Sequence, residues 1–331
     1  MTDFKKILSE LAAIAAPPAG EKAIREYLKG AVAPLGARTR EDRVGNLAVT
    51  LAGDEDGDRV LLAASVDEGA FVANDADEGG FIRFASLGDL SPSAAAYSAV
   101  EFENGVRGTL VPLSPDGERG EKAGDPLSYA VDIGASSKDD AVAAVPPGTA
   151  FRPISEFRAS GDRATGPSVA AKAGAAALLD ALFAIAARGG RGEVTAIFTS
   201  QGKVGGRSVG PAVSSAEFDR AVFVTAAPSG RAAGENGGLA LGGGAAAVRA
   251  AGRFVSDPDA AERLMKAGAV GVTLEKLSPD ATGATRIETA GVPTAILGIP
   301  SRYQGTAAET VDVRDIASAA EAIAEFARKE N

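Results

Sequence analysis

Apolar residues recur at helical spacing where the chain begins: Phe4, Ile7, Leu8, Leu11 and Ile14 share one face. The spacing predicts a helix with Thr2 or Asp3 as N-cap, ended by Pro17-Pro18-Ala19-Gly20. Ile24, Tyr27, Leu28 and Val32 predict a second helix up to Pro34. The period then changes. Strands are expected over residues 46–51 and 59–66, separated by a DEDGD turn. Within the second, VLLAAS is almost unbroken apolar sequence, which suits a strand buried on both faces.

Residues 71–161 read differently. Short alternating runs are punctuated by Gly, Pro, Ser and Asp, which predicts a β-rich insertion. Glu103-Asn104-Gly105 between two such runs predicts a type I′ hairpin. LSYAVDIG reads as a strand, and PPGTAF as a turn into another. Ser136 and Ser137 ahead of Asp139 and Asp140 offer a cap and an acidic first turn for one short helix.

From about residue 162 strands and helices alternate. A helix is expected over 172–187, stopped by Gly189-Gly190, with strands over 193–200, 220–226 and 246–251. Asp257-Pro258 opens a helix containing Leu264 and Met265. Strands over 270–277 and 293–299 precede a terminal helix marked by Ile316, Ala320, Ile323 and Phe326. This rhythm implies an α/β fold. Its mixed central sheet would be covered by helices on both faces, with an inserted β-barrel domain. The units expected are 1–70 with 162–331, and 71–161.

Composition matters most by what it lacks. The 331 residues include no His and no Cys. Imidazole bases, Ser-His-Asp triads, Cys-His dyads and disulfides are thereby excluded. Thirty-four basic residues against 44 acidic give a net charge of −10, so nucleic acid is not an expected partner. No apolar stretch is expected to span a membrane. The charged, amphipathic N-terminal stretch does not read as a signal peptide, so a cytoplasmic protein is expected.

Several fragments line up in order. AASVDEGAF follows the buried strand, and VDIGASSKDDA sits in the insertion. SQGKVGGRSVG follows the 193–200 strand, and AGVPTAILGIPSRY precedes ETVDVRD. Together they resemble the tetrahedral, glutamyl-type aminopeptidase family of dinuclear-zinc metallopeptidases, over nearly the whole chain. The resemblance implies an α/β domain with an inserted barrel that serves dimerisation and oligomerisation, in dimers and hollow dodecamers. It also implies two zinc ions held by His and carboxylates, with a glutamate base activating the metal-bound water.

This chain departs from that pattern at every metal-binding position. The family's ligand positions fall on Ser65, Ala170, Lys203, Phe223 and Gly305, and the base falls on Gly202. Ser, Ala, Phe and Gly are not zinc ligands, and Lys is a cation. No metal or other cofactor is therefore expected. Asp67 survives as a strand-end carboxylate, and Glu68 reads as its solvated neighbour. Lys203 reads as a charge in place of the lost metal, its amine expected toward Asp67 or Glu68. QGKVGG is not a phosphate loop, because no Ser or Thr follows the Lys. LGGGAAAV reads as a tight turn before a strand, and Arg302 and Tyr303 as cleft lining or loop support.

The expected function is a catalytically inactive homologue acting as a structural, regulatory or ligand-binding subunit, which self-associates or takes a protein partner or small ligand. One alternative is a metal-free enzyme or small-ligand binder with a cleft rebuilt around Asp67, Glu68 and Lys203. The other is residual peptidase activity.

Overall fold

Asp3 starts the first helix by accepting a hydrogen bond from the Lys6 amide, and α1 runs Phe4–Ala13. α2 spans Lys22–Val32. β1, Arg38–Glu41, pairs antiparallel with β2, Leu47–Leu51. β3, Val60–Ser65, is buried at all six positions, as its apolar run requires. The protein is seen here as a computed structural model that describes residues 2–54, 56–113, 124–189, 192–214, 217–230, 239–252, 254–275 and 282–328. Part of the DEDGD turn, Gly190 and the end of the expected 270–277 strand lie outside the described residues.

The insertion folds as a closed six-stranded barrel. Its strands are β4 Ala70–Ala76, β5 Ile82–Leu87, β6 Ala99–Phe102, β7 Arg107–Pro112, β8 Tyr129–Asp132 and β9 Ala150–Pro153, in the spatial order β4-β5-β8-β7-β6-β9. α3, Lys138–Ala144, is capped by Ser137. Phe71, Phe84, Phe102 and Phe151 fill the barrel, with ring centroids 4.6–5.3 Å apart. The β6–β7 hairpin forms where expected, but its turn differs. Gly105 has φ +84° while Asn104 does not enter positive φ. The Gly105 amide donates to Phe102 O and the Phe102 amide to Val106 O, so the loop has three residues. That is a type I turn closed by a left-handed glycine, not the two-residue type I′ turn, because Glu103 also belongs to the loop.

After the barrel come β10 Arg158–Ser160, β11 Arg163–Gly166, α4 Val169–Arg188, β12 Val194–Thr199, α5 Val209–Val213 and β13 Arg220–Pro228. Then follow β14 Ala246–Ala251, β15 Phe254–Val255, α6 Pro258–Lys266, β16 Val270–Leu274 and α7 Thr282–Thr289. β17 Thr294–Arg302, β18 Glu309–Asp312 and α8 Val313–Phe326 complete the fold. Among the described residues the main sheet has twelve strands, ordered β1-β2-β12-β3-β13-β17-β18-β11-β10, with β14 also beside β17 and pairing with β15 and β16. β12, β3, β13 and β17 are parallel, while β2 and β18 join antiparallel, so the sheet is mixed.

Alternation along β3 divides the core. Leu62 and Ala64 pack toward a cluster that includes α1, α2, α4 and α8. Leu61 and Ala63 pack toward a smaller cluster with α5 and α7. Both faces are therefore covered by helices. α4 corrects one expectation, since its 20 residues are long and apolar enough to cross a membrane. It is the core helix instead, mostly buried against the sheet and α8.

Candidate functional site

Parallel strands end together at one edge, the place where open α/β sheets gather their ligands. There Thr199 and Ser65 are register partners on β12 and β3, with their hydroxyl oxygens 3.2 Å apart. Two residues on, Asp67 is wholly buried and accepts hydrogen bonds from the Gly202 and Lys203 amides, each 2.8 Å. Asp67 thus fixes the loop after β12. The base position at Gly202 has no room for a side chain: a Cβ there would lie 2.1 Å from Ser65 Oγ.

Lys203 carries its buried ammonium to Asp89, with Nζ 3.0 Å from Oδ2. Asp89 follows β5 and belongs to the insertion. Its carbonyl oxygen packs on Gly305, where a Cβ would come within 2.2 Å. Ala170 and Gly305 have a common partner. Their amides donate to Glu309 Oε2 and Oε1, both at 3.0 Å. Burial pushes the Glu309 carboxyl up to about 7; the Lys203 charge and the two amides offset this only in part, and Asp89 adds to it.

The structure therefore gathers three of the five ligand positions, Ala170, Lys203 and Gly305, around Asp89 and Glu309. Ser65 and Gly202 meet beside them. Phe223 is withdrawn into the smaller apolar core, its ring so close to Gly283 that a Cβ there would lie 2.3 Å away. Ser168, Gln201 and Tyr303 each stand two residues before one of the gathered positions, and all have left-handed backbones, φ +53° to +59°. Such conformations are strained for residues with a Cβ and concentrate at functional sites.

Glu68 lies elsewhere and is not solvated. It is 1% exposed and accepts from Lys172 Nζ at 2.8 Å, Arg152 Nη1 at 3.0 Å and the Ala16 amide at 3.1 Å. Lys172 also donates to Leu11 O and Ile14 O, and Arg152 to Ala12 O and Ala13 O. These cations bind carbonyls at and just beyond the C-terminal end of α1, where a helix leaves its last carbonyls short of donors. Burial alone would raise the Glu68 carboxyl, but Lys172 and then Arg152 outweigh it and hold it below the usual range. Burial pulls the Lys172 amine below the ordinary lysine range.

The donors present do not fit two zinc ions. Hydroxyl, methyl, phenyl and hydrogen stand at four positions and an ammonium at the fifth. Among the described residues no three His, Cys, Asp or Glu side chains gather to hold a metal. Asp89, Glu309, Arg152 and Lys172 were not singled out from sequence. Glu309 stood inside the recognised fragment ETVDVRD, and Lys172 inside SVAAKAG around Ala170. Of the other candidates, Tyr303 is half-exposed, and its backbone carbonyl accepts from the Thr306 hydroxyl within its own loop. The LGGG turn directs the Gly242 and Gly244 amides at Asp315.

Comparison with known proteins identifies the family and the fold. The sequence profile of the M42 glutamyl aminopeptidase family matches residues 45–321. A protein of Acetivibrio thermocellus, named as a candidate aminopeptidase, is 25% identical over 334 residues and 98% of both chains. An aminopeptidase of the archaeon Desulfurococcus kamchatkensis superposes with a TM-score of 0.89 at 20% identity, over 99% of this chain and 95% of that one. The TET1 peptidase of Pyrococcus horikoshii, described as assembling into a tetrahedron or a large octahedral shell, gives 0.85 at 21% identity, over 99% and 100%. At these identities the structures establish the fold.

Proposed function

This chain belongs to the M42 glutamyl aminopeptidase family, and from that premise we propose that it is a catalytically inactive member. One observation carries the reading. The five ligand positions and the base position hold no metal donor of the family's kind: Ser65 crowds Gly202, Asp89 crowds Gly305, and the Ala170 and Gly305 amides bind Glu309. A two-metal site needs its ligands together, because both ions clamp the reacting oxygens. Restoring one residue therefore restores nothing.

On this reading the protein serves as a structural or regulatory subunit of the cytoplasm, self-associating through the unit 71–161. Self-association does not require the cleft's chemistry. Light scattering should show a dimer at least, and a monomer with or without the insertion would remove the scaffold role. A second reading is residual peptidase activity, favoured by the relatives' names. Elemental analysis and hydrolysis of aminoacyl substrates separate the two. The inactive reading expects no stoichiometric transition metal and no turnover. About two zinc ions per chain with turnover would establish the second.

A further inference from the structure

The approach of the insertion to the strand ends is closer than ordinary side chains allow. A Cβ at Gly88 would lie 2.8 Å from Lys203 Cβ, and one at Gly69 would lie 2.9 Å from Leu90 N. One at Gly305 would meet Asp89 O at 2.2 Å. Three glycines on three different segments thus let one short piece of backbone sink into the cleft. Gly88 and Gly305 also have φ +90° and +74°, which other residues adopt only under strain. The segment is seated by a backbone hydrogen bond, Ser91 N to Gly305 O at 2.9 Å, and by the Lys203–Asp89 ion pair at 3.0 Å. Beneath it Ser65, Asp67, Lys203 and Glu309 are all buried.

We infer that residues 88–91 of the insertion are an intramolecular plug that closes the former catalytic cleft, latched by Lys203. The latch is made at a position where the family places a metal ligand, so the substitution that abolishes the ligand also supplies the hook. The plug goes beyond the loss of activity: it concerns access to the cleft, and its test reads no turnover.

The Ser91 amide reports the seat directly, and acylation of the Lys203 amine reports the latch. Hydrogen exchange in the full-length protein should show Ser91 protected at least a hundredfold relative to an exposed loop amide. Gly305→Ala should expel Asp89 O without touching the ion-pairing groups. It should speed Ser91 exchange at least tenfold, and Lys203 acylation likewise. Lys203→Met should speed Ser91 exchange at least tenfold while the barrel amides of Leu110 and Val131 stay protected. Unchanged exchange in Lys203→Met overturns the latch, and unchanged exchange and acylation in Gly305→Ala overturn the plug. Should either variant fail to fold, the unaltered protein decides: a Ser91 amide that exchanges like an exposed one overturns the plug.

Discussion

Glu68 and Glu309 are both buried carboxylates, 1% and 5% exposed, yet the protein shifts them in opposite directions. Burial raises both. Glu68 has two cations in direct contact, and they win. Glu309 receives two backbone amides, and the nearby ammonium of Lys203 pairs with Asp89. The comparison teaches that burial does not decide ionisation; direct cationic contact does. It also separates two kinds of buried cluster in one fold. The Glu68 cluster is a saturated structural joint between α1, α4 and the barrel. The Glu309 cluster lies at the strand ends, where carboxylates outnumber the cation.

The sharpest way to break this contrast is to remove a cation from the saturated cluster. Lys172→Met keeps most of the side-chain volume. It leaves Glu68 to Arg152 alone and strips the Leu11 and Ile14 carbonyls of a donor. Uncompensated buried charge typically costs about 3–5 kcal/mol. Urea unfolding should show an unfolding free energy lowered by that amount, seen as a lower midpoint at unchanged slope. The further change Glu68→Gln should recover part of the loss. A loss below about 1 kcal/mol would mean that Glu68 is not held by Lys172 at all.

pH tests the other member of the pair. The folded Glu309 value of about 7 lies above the ordinary 4.5. The folded state therefore binds the proton more tightly, and stability falls as pH rises from about 4.5 to about 7, then levels off. The full drop is about 3 kcal/mol. Glu309→Gln should flatten this side of the curve. Glu68 has the reverse sign. Its depressed value contributes stability above the ordinary carboxylate range, lost as pH falls through the folded value. Glu68→Gln should therefore change the acid limb and leave the neutral one. Equal slopes from pH 5 to 8 in the unaltered protein and Glu309→Gln would remove the contrast.

The same pair marks how far sequence reading reaches. Local patterns sufficed for β3, α4, α8 and the barrel hairpin, because each shows its own period or turn chemistry within a few residues. β1 was missed because all four of its residues are exposed and carry no apolar alternation. α5 and α7 are short, and no period stands out in them. The expected ligand positions, Ser65, Ala170, Lys203, Phe223 and Gly305, were read from their fixed offsets to recognisable fragments. The partners that surround them were not legible. Asp89 lies 114 residues from Lys203 and Lys172 lies 104 from Glu68, and such pairings are made only by the tertiary fold. Reading Glu68 as solvated failed for the same reason: its burial is produced by α1, α4 and β9 together.

The smallest expected effect concerns Lys203, and it decides whether the cleft is an organised cluster or an accident of packing. Its backbone amide serves Asp67, as the loop after β12 requires, while its ammonium reaches across to the insertion and Asp89. The Asp89 side chain keeps 18% exposure, so water compensates part of any loss. Lys203→Ala should cost about 1–3 kcal/mol, the range for leaving a buried polar partner unsatisfied. Asp89→Asn should cost less, because the amide oxygen still accepts from Nζ. A double-mutant cycle should give a coupling above about 0.5 kcal/mol, since the two groups are in contact. The pH profile adds a signature that simple packing lacks. Lys203 lowers the Glu309 value, so its removal must raise that value further and move the loss of stability to higher pH. A Lys203→Ala curve parallel to that of the unaltered protein would show that the ammonium does not act on Glu309, and the cleft would then be held by its close-packed glycines alone.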